Sequence, residues 1–213
     1  MLFRSPPRQV ILKDIPYFSQ WESPELVGDI LSGKRRAQDD PKWKNSGASS
    51  QDEYAEWSWA GCGMACTKMI LAASGAEAPP LVALAKQSLK YGVYQLPLES
   101  SPGMFYKPYV EFMKKEYGLR ARITKRLSSA KIMRALAHGN LVIASVSPEI
   151  RNPAGTPTKR GGHLVLIVGY DKPKQEFYIH NPSGNTEKSQ TFAVVSFADF
   201  DKFAAGRGVI VGR

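Results

Sequence analysis

Cys62 stands in Trp57-Ser58-Trp59-Ala60-Gly61-Cys62-Gly63-Met64-Ala65-Cys66, a run of small residues that opens into an apolar stretch. A thiol at the start of a helix has a reason to ionise, because unpaired backbone N–H groups and the helix dipole favour the thiolate. Attack of that thiolate on an amide further requires a base, a group that orients the base, and a donor for the developing oxyanion. Gly61 and Gly63 permit a tight turn and a close approach of substrate backbone. Cys66 falls one turn inside the same helix, where it is expected to be buried and inert.

Three histidines can supply the base. His138 precedes Gly139 at the end of a predicted helix, a position that suits the C-terminal dipole. His163 follows Gly161-Gly162 and begins the apolar run Leu164-Val165-Leu166-Ile167-Val168, so its ring can project from the end of a sheet. His180 adjoins Asn181, and neighbours along a strand face opposite sides. His163 is therefore the favoured base, with Asn181 on the adjoining strand as its orienter. Gln20 carries an amide N–H₂ that can join the Cys62 backbone N–H in an oxyanion hole.

These residues need elements to hold them. Cys62 to Ala73 reads as a buried helix stopped by Ser74-Gly75, and Pro79-Pro80 start another that runs through Lys90. Tyr106 to Tyr117 has an apolar face of Tyr109, Val110, Phe112 and Met113 and ends at Gly118, while Ser128-Ser129 cap a helix through Ala137. The period then changes. Leu141 to Val146, His163 to Tyr170, Glu176 to His180, Gln190 to Val195 and Val209 to Val211 read as strands, and Asp171 to Gln175 as a turn between two antiparallel ones. Gln9 to Ile15 suits a short edge strand. Helices first and strands second predict an α+β fold, with N-terminal helices packed on a C-terminal antiparallel sheet.

With 213 residues, 43% of them hydrophobic, the chain is expected to form a single domain over residues 1–213. The polar stretch Glu22 to Glu56 has no clear period beyond a short helix from Ser23-Pro24 to Leu31, and reads as a lid or insertion. The net charge of +10 is uneven: Lys107 to Arg134 holds nine Lys/Arg against Glu111 and Glu116, whereas Glu22 to Glu56 holds eight acids against five bases. A solvated basic helix face accounts for that without specific nucleic-acid binding, and electrostatic contact with anionic envelope polymers is the other partner it suggests. Two cysteines four residues apart form no disulfide framework and no zinc set, so neither a metal nor a cofactor is expected. No segment reaches the roughly 18 apolar residues of a membrane span, and no secretory leader is visible at the start. A soluble protein is the expectation, cytoplasmic, or exported if a signal was removed.

Four blocks in order carry a resemblance: Ile15-Pro16-Tyr17-Phe18-Ser19-Gln20; Gly61-Cys62-Gly63-Met64-Ala65 with Met69-Ile70-Leu71; Gly162-His163-Leu164-Val165-Leu166-Ile167-Val168-Gly169-Tyr170-Asp171; and Phe177-Tyr178-Ile179-His180-Asn181-Pro182-Ser183-Gly184. Together they resemble the papain-superfamily cysteine peptidases related to the bacteriocin-processing, double-glycine-leader peptidases. Leu136 to Ile143 resembles the helix, glycine and strand that precede the family's histidine strand. The resemblance implies a papain-like fold, a Cys62 nucleophile, a His163 base, an Asn181 orienter and a Gln20 oxyanion donor, acting on a peptide or protein substrate through an acyl-enzyme. The third position is often Asp in that family and is Asn here, and some forty residues separate Gln20 from Cys62 where the family usually has fewer. A lid between two pieces of one site fits that separation, with Trp43, Trp57 and Trp59 available to line a cleft. The alternatives are a catalytically silent peptide-binding domain of the same fold, and a cell-envelope peptide hydrolase or transferase.

Overall fold

The computed structural model describes residues 6–100 and 103–212. After strand β1 (Gln9–Ile11) come a 3-10 turn (Pro24–Leu26), helix α1 (Val27–Leu31), and two further 3-10 turns at Ala37–Asp39 and Trp43–Ser46. Helices α2 (Gln51–Ala60), α3 (Cys62–Ala73), α4 (Leu81–Leu89) and α5 (Tyr106–Tyr117) follow. The second half comprises β2 (Ala121–Thr124), α6 (Ser129–Ala137), β3 (Leu141–Val146), a 3-10 turn (Pro148–Arg151), β4 (His163–Asp171), β5 (Glu176–His180), α7 (Glu187–Gln190), β6 (Ala193–Ser196), α8 (Phe197–Phe203) and β7 (Ala204–Val211).

The strands form one antiparallel sheet in the order β2-β7-β3-β4-β5-β6. β1 pairs with Gly169–Asp171 of β4 beyond the end of β3, whose own pairing stops at Val142↔Ile167. The two central strands β3 and β4 are buried along their whole length, which is why they read as unbroken aliphatic runs rather than as an alternation. Leu141, Ile143, Leu164, Leu166 and Val168 join the core built with α1 to α5. Val142, Ala144, Val146, Val165 and Ile167 face a second core, closed by Ile132 and Leu136 of α6 and by Phe200 and Phe203 of α8. The expected α+β architecture is present, with α6 and α8 on the sheet face opposite α1 to α5.

Local signals explain most boundaries. Ser128 accepts from the Lys131 N–H at the start of α6, and Gly118 ends α5 in the left-handed conformation. Four elements have no counterpart in the sequence-based expectation: α2, β2, α7 and α8, with α7 ending at Gln190 where a strand was expected to begin. α2 buries Tyr54, Ala55, Trp57 and Ser58, a helical stripe in which Ala and Ser carry too little hydrophobicity to register. Ser50 caps its start, accepting from the Glu53 N–H at 3.1 Å.

The segment from Glu22 to Glu56 is folded against the main core. Val27, Ile30, Ala37 and Tyr54 are buried in it. Its aperiodic stretches are organised by one buried carboxylate instead of by a hydrophobic repeat. Asp40 accepts from the Ser23 N–H at 3.0 Å, the Ser23 hydroxyl at 2.6 Å, the Lys42 N–H at 2.9 Å and the Tyr54 hydroxyl. Ser23 thus precedes the turn at Pro24 without capping it, its side chain being spent on Asp40.

Candidate active site

Cys62 follows directly on a helix: α2 ends at Ala60, α3 begins at Cys62, and Gly61 alone separates them, capping both. The run expected to be a turn is therefore the last turn of α2 plus one hinge residue. Gly63 is held close, since a Cβ there would lie 2.9 Å from the Met104 sulfur and 3.2 Å from Leu164 Cδ1. The Cys62 residue is half-buried. Burial pushes its thiol up from the usual cysteine value, while the backbone N–H groups of Leu164, Gly63 and Cys62 and the charge of Arg151 pull it down. Cys66 is fully buried, its sulfur 3.8 Å from the Leu164 carbonyl, and burial followed by the neighbouring Cys62 pushes it well up.

His163 occupies the first position of β4, paired with Val146, the last residue of β3. Gly161 and Gly162 reach it with φ of 85° and 93°, values that disfavour any residue with a Cβ. Its Nε2 lies 2.8 Å from Asn181 Oδ1. The Ser183 N–H also donates to that oxygen, at 3.1 Å, which fixes the amide orientation: Oδ1 is the acceptor, so Nε2 carries the proton and Nδ1 keeps the lone pair of a base. Burial holds the imidazole down at about 4, against a partial upward pull from Asn181 and a further push down from Arg151.

Asn181 sits one residue beyond β5 and is fully buried. Its carbonyl accepts from the Tyr17 hydroxyl at 3.0 Å, and its Nδ2 finds no partner among the described residues. The neighbouring histidine is wired elsewhere. His180 Nε2 meets the Ile15 carbonyl at 3.1 Å, Nδ1 accepts from the Phe192 N–H at 3.1 Å, and the ring packs on Tyr17 and Phe192. His138 caps α6, with Nδ1 2.7 Å from the Arg134 carbonyl.

Gln20 is brought to the helix junction before Cys62. Its Nε2 donates to the Ser58 carbonyl at 2.8 Å, and its backbone N–H to the Pro182 carbonyl at 2.9 Å. One N–H of the side-chain amide remains uncommitted, Oε1 has no partner among the described residues, and the residue is 4% exposed. Residues 17–20 therefore tie the loop after β5 to the end of α2.

Two cavities meet at Cys62. One, about 410 Å³, is walled by His163, Leu164, Tyr106, Ser145, Lys125 and Arg207. The other, about 530 Å³, is walled by Asp52, Glu56, Glu99, Gln38, Leu98 and Trp59. Cys62, Gly103 and Gly162 border both. Of the three tryptophans expected in a cleft only Trp59 lines one, edge-on to Trp21; Trp57 is buried against Tyr94, and Trp43 packs on the main core outside both cavities. A further cavity of about 470 Å³ beside Lys114, Arg120 and Arg122 holds neither nucleophile nor base. Among the described residues no three His, Cys, Asp or Glu side chains gather as a metal site, and no helix is long and apolar enough to cross a membrane.

Two further residues belong to this constellation and had no role in the sequence-based reading. The Ser183 hydroxyl lies 3.0 Å from His163 Nε2, and Arg151 holds Ser183 through both its carbonyl and its hydroxyl. Ser183 lay within the Asn181-Pro182-Ser183-Gly184 block without an assigned function. Arg151, in a polar connection, carried no sequence signal at all.

None of the curated proteins compared matches the chain. Among solved structures, one described as a putative C39-like peptidase from Bacillus anthracis superposes with a TM-score of 0.57 at 16% identity, covering 96% of this chain and 98% of that one. The likeness is one of fold. The family model described as Peptidase_C39 like family matches residues 12–205, which supports a cysteine-peptidase-like function. By that match across nearly its whole length, the chain belongs to the Peptidase_C39-like family.

Proposed function

We propose that the protein hydrolyses peptide amides through Cys62, with His163 as base, Asn181 as orienter and Gln20 as an oxyanion donor. The observation that carries this is the His163–Asn181 hydrogen bond at 2.8 Å, which leaves Nδ1 of His163 as the free base on a residue that shares a cavity wall with Cys62. In the reaction Nδ1 takes the thiol proton, and the thiolate attacks the carbonyl carbon. The oxyanion is met by the Cys62 N–H and the uncommitted N–H of Gln20. The imidazolium then protonates the leaving amine, giving an acyl-enzyme that water hydrolyses with His163 again as base.

Burial favours the neutral thiol and the neutral imidazole, the pair from which Nδ1 would take the thiol proton. A thiol-directed peptide electrophile tests the assignment. Labelling should be abolished by Cys62→Ala, strongly slowed by His163→Ala, and retained by Cys66→Ala. Labelling that follows Cys66 would overturn it, and binding of peptides without turnover or labelling would favour the silent peptide-binding domain.

A further inference from the structure

Behind His163 and Asn181 lies a second set of hydrogen bonds whose direction can be assigned atom by atom. Arg151 has donors only, so its Nε donates to the Ser183 carbonyl at 2.7 Å and its Nη2 to the Ser183 Oγ at 2.8 Å. With one lone pair taken by Arg151, the Ser183 hydroxyl has its own proton to give and Asn181 Oδ1 at 3.3 Å to receive it. The remaining lone pair of Oγ faces His163 Nε2 at 3.0 Å, sharing the Nε2–H with Asn181. The Ser183 N–H donates to Oδ1 as well. Every proton in the set is consistent with a single arrangement, in which His163 is protonated on Nε2.

We propose that Arg151 and Ser183 are a positioning pair: Arg151 grips Ser183 from behind, and Ser183 holds Asn181 and His163 in the tautomer that leaves Nδ1 free. The inference rests on the cysteine-peptidase reading above. A planar guanidinium suits this task because it engages two oxygens of one residue at fixed angles, which an ammonium does not. Arg151 is half-buried, and its charge acts on both members of the reacting pair, favouring the Cys62 thiolate and disfavouring imidazolium at His163. The other charges facing the pair are Lys125 and Arg207 across one cavity, Asp52, Glu56 and Glu99 across the other, and Lys159 beside Gly162, all of them exposed. Burial keeps the nearby Cys66 thiol and the Tyr94 and Tyr106 hydroxyls neutral.

Two readouts that need no substrate separate grip from charge. The first is the pH dependence of Cys62 alkylation by iodoacetamide, followed by mass spectrometry in a Cys66→Ala background. The second is the tautomer of His163, read from its ring-nitrogen shifts by NMR. Arg151→Met should move the alkylation limb to higher pH by about half to one unit and bring in a His163 population protonated on Nδ1. Arg151→Lys should keep the limb near the parent's position yet still show the mixed tautomer. Ser183→Ala should give the mixed tautomer, with alkylation at neutral pH slowed roughly threefold to tenfold, the scale of one lost hydrogen bond. A loss of melting temperature with an unchanged limb and a pure Nε2–H tautomer in all three variants would reduce the pair to a structural role and overturn the proposal. Failure of the peptidase reading looks different: a parent Cys62 whose alkylation profile is unchanged by His163→Ala.

Discussion

Gln20 donates its side-chain amide to the carbonyl of Ser58 at 2.8 Å, four residues ahead of Cys62. The bond joins a residue near the chain's beginning to the last turn of α2, so the forty-residue separation in sequence closes to one hydrogen bond in space. Gln20→Ala should lower kcat/KM for a peptide substrate by about 100-fold, as removal of an oxyanion donor does. Iodoacetamide alkylation of Cys62 should change little, because that reaction forms no oxyanion. Equal losses in the two assays would mean that Gln20 supports the helix junction instead of the oxyanion.

The acceptor that His163 needs is one oxygen of Asn181, and an aspartate would present one in the same place. Asn181→Asp should therefore keep most of the activity, with the acidic limb of its pH–rate profile moved upward because a carboxylate stabilises imidazolium and so raises the pKa of the base. Asn181→Ala should lose roughly 10- to 100-fold in kcat. Steady-state kinetics of the two variants across pH settle the point; an inactive but folded Asp variant would count against a simple orienting role.

Acid should destabilise the protein through His163. Its folded value of about 4 lies below the ordinary 6.5, so between those pH values the unfolded chain binds a proton that the folded one refuses, and stability falls as pH drops. The loss should approach about 3 kcal/mol by pH 4, with buried His180 adding in the same direction. Urea unfolding at pH 7 and pH 4.5 should show it, and His163→Gln should flatten that pH dependence. An unchanged slope in the variant would place the acid sensitivity elsewhere.

Asp40 is 1% exposed and is the shared acceptor for Ser23, Lys42 and Tyr54. Asp40→Ala strands the buried donors of Ser23 and Tyr54 and should cost roughly 3 kcal/mol. Loss of order confined to residues 22–56, read by amide exchange, would show a locally held unit; global loss would show that the segment and the main core fold together.

Much of the site was legible because it sits on elements with strong periods. Cys62 begins an apolar helix and His163 an aliphatic strand, so their positions follow from patterns of burial. Asn181 and the turn at 171–175 follow from the same strand register. The segment around Asp40 and the Arg151–Ser183 pair were not legible, because their order comes from single polar contacts between distant residues. Hydrogen-bond geometry of that kind leaves no repeat in the sequence. Trp57 failed as a cleft residue for a related reason: α2, masked by its alanine and serine, turns it inward while Trp59 two residues on points out.

The two cavities that meet at Cys62 differ in sign, Asp52, Glu56 and Glu99 facing Lys125 and Arg207 across the thiol. For a protein of net charge +10, that division matters more than the total. A monopole attracts or repels an approaching chain as a whole, whereas a pair of opposed patches exerts a torque on it. On the proposed peptidase reading, a peptide with unlike charges on either side of a bond would be turned into one orientation before it touches the sulfur. Added salt, by shortening the reach of both patches, weakens this alignment as well as the capture rate.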